Sequence, residues 1–156
     1  MIVADAGPLI VLLKINKLSI LKELFGTVNI PIAVHDEITV RTKEKADFSK
    51  IEWLKPTRIK EDGDYKLLEE LVDKGEAEAI ILAKELRATL LVDDAKARKY
   101  AALLNVDVIG TLGLLKLTKK HGLLASVREA IKDILDQGYY IDNRLVVKLL
   151  EDAGES

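Results

Sequence analysis

Met1-Ile2-Val3-Ala4-Asp5-Ala6-Gly7-Pro8-Leu9-Ile10 is the stretch whose reading decides the fold. Ile2 and Val3 open a short apolar run that reads as a buried strand. Asp5 stops the run. Pro8 suits the first turn of a helix, where its missing N–H leaves no hydrogen bond unmade. Leu9 to Leu13 continue that helix as an apolar segment. Asp5 thus sits where a strand gives way to a helix. In open α/β sheets, ligands bind just outside the carboxyl ends of the strands. Asp5 therefore reads either as a metal ligand or base, or as the N-cap of the helix that follows.

The same alternation recurs along the chain. Apolar periodicity predicts helices over 8–14 and 17–25, with Gly26 as a stop, and a strand over 27–30. Pro31 ends that strand and starts a helix over 32–41. Residues 41–47 are polar and charged and read as a solvated connection. A third strand is expected over 51–54, stopped before Pro56. The turn 61–64 leads into a helix over 65–73, and Gly75 separates this from a helix over 76–86. A strand over 89–92 ends on Asp93-Asp94. It is followed by a helix over 95–104, a strand over 106–109 and a turn over 110–113. Helices over 112–121, 123–137 and 142–151 finish the chain. Short apolar strands alternating with helices predict an α/β fold with a mainly parallel sheet. At 156 residues the chain is expected to be one domain, 1–156.

Composition narrows the chemistry. There is no Cys, so thiolate metal sites and disulfides are excluded. The only histidines are His35 and His121, and each reads as a surface residue. Lys+Arg is 24 and Asp+Glu is 26, a balance that neither supports nor excludes nucleic acid, since binding follows a local patch. No apolar run approaches the ~18 residues of a membrane span. No basic n-region follows Met1, which predicts a cytoplasmic protein.

The informative acids are those standing where a surface charge would not be placed. Asp5 ends the first strand, and Asp93 and Asp94 end the strand over 89–92. Both ends lie on one edge of a parallel sheet, so these acids can converge there. The pair could instead be a helix cap and a first-turn acid favoured by the dipole. Val34 and Ile38 mark the buried stripe of their helix. Glu37 borders that stripe, and Asp36 points the other way. In the next acidic helix, Glu76 shares a face with Ala79, Ile80 and Ala83, while Glu78 is expected to face away. Clustered carboxylates repel one another unless a hard divalent cation neutralises them, and oxygen-only ligands select Mg²⁺ or Mn²⁺. Such an ion suits phosphodiester hydrolysis: it lowers the pKa of water, orients it in line and stabilises the departing oxygen.

Together, Val3-Ala-Asp5-Ala-Gly-Pro-Leu-Ile10, Val34-His-Asp-Glu37-Ile38, Gly75-Glu76-Ala-Glu-Ala-Ile80 and Leu90-Leu-Val-Asp93-Asp94-Ala-Lys-Ala-Arg98 resemble a PIN-domain protein. The kind resembled includes the toxin ribonucleases of toxin–antitoxin pairs. Gly110-Thr-Leu-Gly113 resembles a subgroup of PIN-like proteins, and the resemblance covers nearly the whole chain. It implies a three-layer α/β/α domain that hydrolyses RNA with Mg²⁺ or Mn²⁺, leaving a 3′-hydroxyl. It implies a homodimer and a small antitoxin partner whose binding blocks the site. By this resemblance Asp5, Glu37, Glu76 and Asp94 match the family's four metal-binding, catalytic acids. The third is often Asp in the family and is Glu76 here. Asp93 is an additional acid beside the fourth position.

Further residues carry weaker signals. Thr111 follows a strand end and could bond a substrate phosphate or cap the helix after it. Lys96, Arg98 and Lys99 could hold an RNA backbone or form a solvated helix face. No P-loop core and no G-x-G-x-x-G is present. The main alternative is a non-catalytic PIN-like module that binds RNA or protein. A small-molecule phosphatase is disfavoured because Asp5-Ala6-Gly7 lacks a D-x-D pattern.

Overall fold

The computed structural model describes residues 1–42, 48–60 and 62–155. Strands β1 (Ile2–Ala4), β2 (Val28–Pro31), β3 (Leu54–Thr57), β4 (Thr89–Leu91) and β5 (Val108–Ile109) form an all-parallel sheet in the order β3-β2-β1-β4-β5. The helices are α1 (Ala6–Lys14), α2 (Ile20–Phe25), α3 (Ile32–Thr42), α4 (Gly63–Leu68), α5 (Lys74–Leu86), α6 (Ala95–Leu103), α7 (Thr111–Lys120), α8 (Val127–Asp136) and α9 (Asn143–Asp152). None of them is long and apolar enough to cross a membrane.

The period-2 pleat sorts the apolar strand residues into two cores. Ile2, Ala4 and Leu91 face one side, with Leu9 and Leu12 of α1, Ile38 of α3, Leu114 of α7 and Ile131 of α8. Val3, Leu90 and Val92 face the other, with Tyr65 of α4, Ile80 of α5 and Ala97 of α6. Val3 pairs with Leu90 in register, so same-face residues stack across the β1–β4 ladder. The result is an α/β/α sandwich whose central strands are buried on both faces, which explains why they read as continuous apolar runs.

The strand order reverses beside β1. The chain builds outward through β2 and β3, then returns to place β4 on the other flank. The crevice outside the carboxyl ends of β1 and β4 is therefore the topological switch point, where open α/β sheets bind ligands. The ladder extends past the strands proper. Asp5 N–H donates to the Leu91 carbonyl at 2.9 Å, and Val92 N–H to the Ile109 carbonyl at 3.0 Å. The acids at these strand ends thus spring from a rigid edge.

Several boundaries differ from the sequence expectation. β3 runs over Leu54–Thr57 and includes Pro56, because it is an edge strand on which a missing N–H can be tolerated. The helix expected over 65–73 ends at Leu68, and Asp73 instead opens α5. There Asp73 accepts from Glu76 N–H at 2.8 Å while the Glu76 side chain accepts from Asp73 N–H at 3.2 Å. This capping box overrides the breaker reading of Gly75, which lies inside the first turn. α8 begins at Val127 rather than 123, capped by Ser126, which accepts from Glu129 N–H at 3.1 Å. The connection read over 41–47 falls, at 43–47, outside the described residues, as does Glu61 of the turn over 61–64.

Candidate active site

Asp5 has the backbone of an N-cap residue, yet its side chain makes no capping bond. The residue is 8% exposed. Burial pushes its pKa from 3.8 up to about 7; a hydrogen bond from Ala6 N–H opposes this, and the charges of Asp73, Glu37 and Asp94 add to it. An isolated carboxylate is costly in such a place. The cap reading of Asp5 thus lacks its bond, and the group is held charged only against both desolvation and its neighbours.

Glu76 is raised from 4.5 to about 8, again first by burial, with Asp73 and Asp94 as repelling neighbours and the Asp73 N–H opposing the rise. Glu37, on α3, reaches the same edge because α5 approaches α3 closely at Gly75. A Cβ on Gly75 would stand 3.1 Å from Glu37 Oε1 and 3.6 Å from Val34 Cγ2, so the Glu37 carboxylate lies against the first turn of α5 and would have to give slightly to admit a side chain there. At the switch point Asp5 thus feels the charges of Asp73, Glu37 and Asp94, and Glu76 feels those of Asp73 and Asp94.

Each of the other acids is partly engaged. Arg41 Nη1 donates to Glu37 Oε2 at 2.9 Å, one helical turn on. Asp94 caps α6 through one oxygen, accepting from Ala97 N–H at 2.8 Å. Among the described residues, no three Asp, Glu or His side chains form a ready-made metal cage. The donor set is nonetheless all carboxylate oxygen, the kind Mg²⁺ and Mn²⁺ select. Mg²⁺ dehydrates reluctantly and is commonly held by one or two carboxylates with several waters. The residues present fit a water-rich shell of that kind.

Asp93 is turned to another task. Its Oδ1 accepts from Thr111 N–H at 2.7 Å and its Oδ2 from the Thr111 hydroxyl at 2.5 Å. It thereby caps α7, whose own N-cap, Gly110, has no side chain to do so. Thr111 is 5% exposed and occupied by this bond. A Cβ on Gly110 would lie 2.7 Å from Arg98 Nη1 and 2.9 Å from Asp93 Oδ1, so these two side chains close over the glycine and would have to shift to admit one there. Arg98 is accordingly packed against the β4–α7 junction and half-buried, whereas Lys96 is exposed on α6.

Glu78, expected to face away from the Glu76 side of the helix, does not meet solvent there: it is 8% exposed, and its Oε1 accepts from Ala33 N–H at 3.2 Å. α5 is packed against α3, α4, α6 and the sheet, so its outward-looking face is covered by the start of α3. There the carboxylate satisfies an otherwise unpaired first-turn N–H and meets the positive end of the helix dipole. Two site neighbours escaped the sequence reading. Asp73 was legible as the first member of an Asp-x-x-Glu capping box, and Arg41 as the i+4 partner of Glu37.

A family model described as a PIN domain matches residues 1–155. No curated protein matches the chain.

Proposed function

Because the chain belongs to the PIN-domain family, we propose that it is a metal-dependent ribonuclease built on the Asp5–Glu37–Glu76–Asp94 edge. PIN domains are generally nucleases and typically use divalent metals. The observation that carries the reading is Asp5: a buried carboxyl at the switch point that makes no capping bond, with the charges of Asp73, Glu37 and Asp94 acting on it. Asp5 and Asp94 would hold the ion from the two strand ends, with Glu37 and Glu76 closing the edge from α3 and α5. When bound, Mg²⁺ or Mn²⁺ supplies a lowered pKa for water and neutralises the charge that builds on the phosphate. This chain's residues do the rest. Asp5 is held at the β1–β4 edge by the bond from its N–H to Leu91, and Asp94 by its cap on α6. Lys96 is exposed where it can meet the RNA backbone.

The reading extends to the toxin of a toxin–antitoxin pair, acting as a homodimer and blocked by a small antitoxin. Leu123, Leu135 and Val147 leave apolar surface on the α7–α9 side that a second copy would cover. The second reading is a non-catalytic PIN-like RNA- or protein-binding module. The Arg41–Glu37 pair and the folding of Glu76 back onto Asp73 favour it. The two separate on single-stranded RNA incubated in Mg²⁺ or Mn²⁺ and then in EDTA. Cleavage that needs the ion and is lost in Asp5→Asn supports the nuclease. Cleavage that survives EDTA, or is equal in Asp5→Asn, overturns it.

A further inference from the structure

Beside the acidic edge the surface opens into a cleft of ≈ 520 Å³. Its lining includes near neighbours of the acidic cluster. Gly7 follows Asp5 by two residues, Asp93 adjoins Asp94, and Arg41 holds Glu37; all three of these neighbours line the cleft. The walls are apolar: Ile10 and Val11 from α1, Leu112 from α7 and Ile134 from α8. The segment between α8 and α9 contributes two aromatic rings. Tyr139 is half-buried and fixed, with the Lys14 ammonium 5.3 Å from its ring centroid. Tyr140 is 87% exposed and lines the mouth of the cleft.

The size fits a small ligand. Small-ligand clefts run to roughly 300–1,000 Å³, with apolar walls and a few polar groups that orient the ligand. A phosphate drawn to a cation at the acidic edge places the adjoining nucleoside against this cleft. The flat ring of Tyr140 offers a base a stacking face, while Asp93 and Arg41 at the rim can meet its polar edge.

We infer that this cleft is a nucleobase subsite, in which Tyr140 stacks on a base adjoining the phosphate at the acidic edge. The inference rests on the ribonuclease reading for the identity of the chain it serves, but not for its test. The probes are adenosine and uridine 5′-monophosphates, which have no phosphodiester bond to cleave, and ribose 5-phosphate, which has no base. Methyl NMR in Mg²⁺ follows Ile10, Val11 and Leu112. Both nucleotides should shift these methyls by ring current, and ribose 5-phosphate should not. Tyr140→Ala should weaken nucleotide binding at least ~5-fold, and Tyr140→Phe should retain it, because stacking needs the ring and not the hydroxyl. Tyr140 is too exposed for its loss to unfold the protein. Equal shifts from ribose 5-phosphate, no shifts from any probe, or unchanged affinity in Tyr140→Ala would overturn the subsite and leave the cleft to a protein partner. RNA cleavage by the unaltered protein is scored separately. Cleavage without base-dependent shifts sinks the subsite alone, and base-dependent shifts without cleavage sink the nuclease alone.

Discussion

Asp5→Asn should stabilise the metal-free protein, and more so as the pH rises. The native protein keeps its proton on Asp5 up to about pH 7, whereas the ordinary value is 3.8. Between these values the native state binds more protons than the unfolded chain, so stability falls as pH rises. The contribution is fully present below about pH 4 and fully lost above about pH 7. At ~1.36 kcal/mol per pH unit, the difference is worth about 4 kcal/mol as an upper bound. Local relaxation offsets part of this, which leaves a gain of roughly 2 kcal/mol for Asn at pH 8. For a chain of this size that is a rise in Tm of about 4–8 °C. Asn is close to the protonated acid in shape and hydrogen bonding, so the two proteins should melt together near pH 4. Thermal melts of both in EDTA at pH 4, 6 and 8 check the trend. A gain that does not grow with pH, or a loss of stability at pH 8, would refute the account of Asp5 as a buried, repelled charge.

Saturating Mn²⁺ should raise the Tm of the unaltered protein at pH 8 by binding only the native state, with ~2.7 kcal/mol of stabilisation at a hundred times Kd; Asp5→Asn should lose most of it, as differential scanning fluorimetry would read. Glu76→Gln keeps the oxygen that accepts from Asp73 N–H but removes the charge, so it should leave the metal-free fold as stable or more so while weakening Mn²⁺ binding by calorimetry and abolishing RNA cleavage. Glu78→Gln should be silent, since its amide oxygen can still accept from Ala33, whereas Glu78→Ala leaves that N–H unpaired and should cost about 1–2 kcal/mol in urea melts without touching metal affinity. Glu155 accepts from Lys119, Ser126, Val127 and Arg128, and the Lys119 ammonium first of all holds its carboxyl down at about 2. Its contribution is present above about pH 4.5 and lost as pH falls through about 2, so Glu155→Gln should lower Tm at pH 7 and the difference should shrink below pH 4.5.

Much of the arrangement was legible in the residues. Apolar runs of two to four residues, each followed by an acid or a helix starter, marked β1, β2 and β4 and the parallel α/β order, because central parallel strands must be apolar on both faces. Place at strand ends singled out Asp5 and the pair Asp93–Asp94 as candidate ligands, and the angle to Val34 and Ile38 singled out Glu37. Those readings use local rules, a pleat of two and a helix of 3.6, which a short window carries in full.

Tertiary structure decided what local rules cannot express. Helical angle separates Glu76 from Glu78 but does not say that α3 begins over the second of them; only the packing of α5 among α3, α4, α6 and the sheet makes Glu78 a buried partner of Ala33. The Asp93–Asp94 pair is symmetric in sequence. It is divided in space because Gly110, seventeen and sixteen residues on by chain and adjacent in the fold, leaves α7 without a side-chain cap of its own, and Asp93 fills that need through Thr111. The cleft at Tyr140 joins residues from α1, α3, α7 and the α8–α9 segment, which no window of sequence contains together. Sequence determines which backbone elements form and which residues stand at their ends, since those depend on neighbours along the chain. Desolvation and charge repulsion depend on distance through space, so the pairing of acids, caps and aromatic walls was settled only when the sheet closed around them.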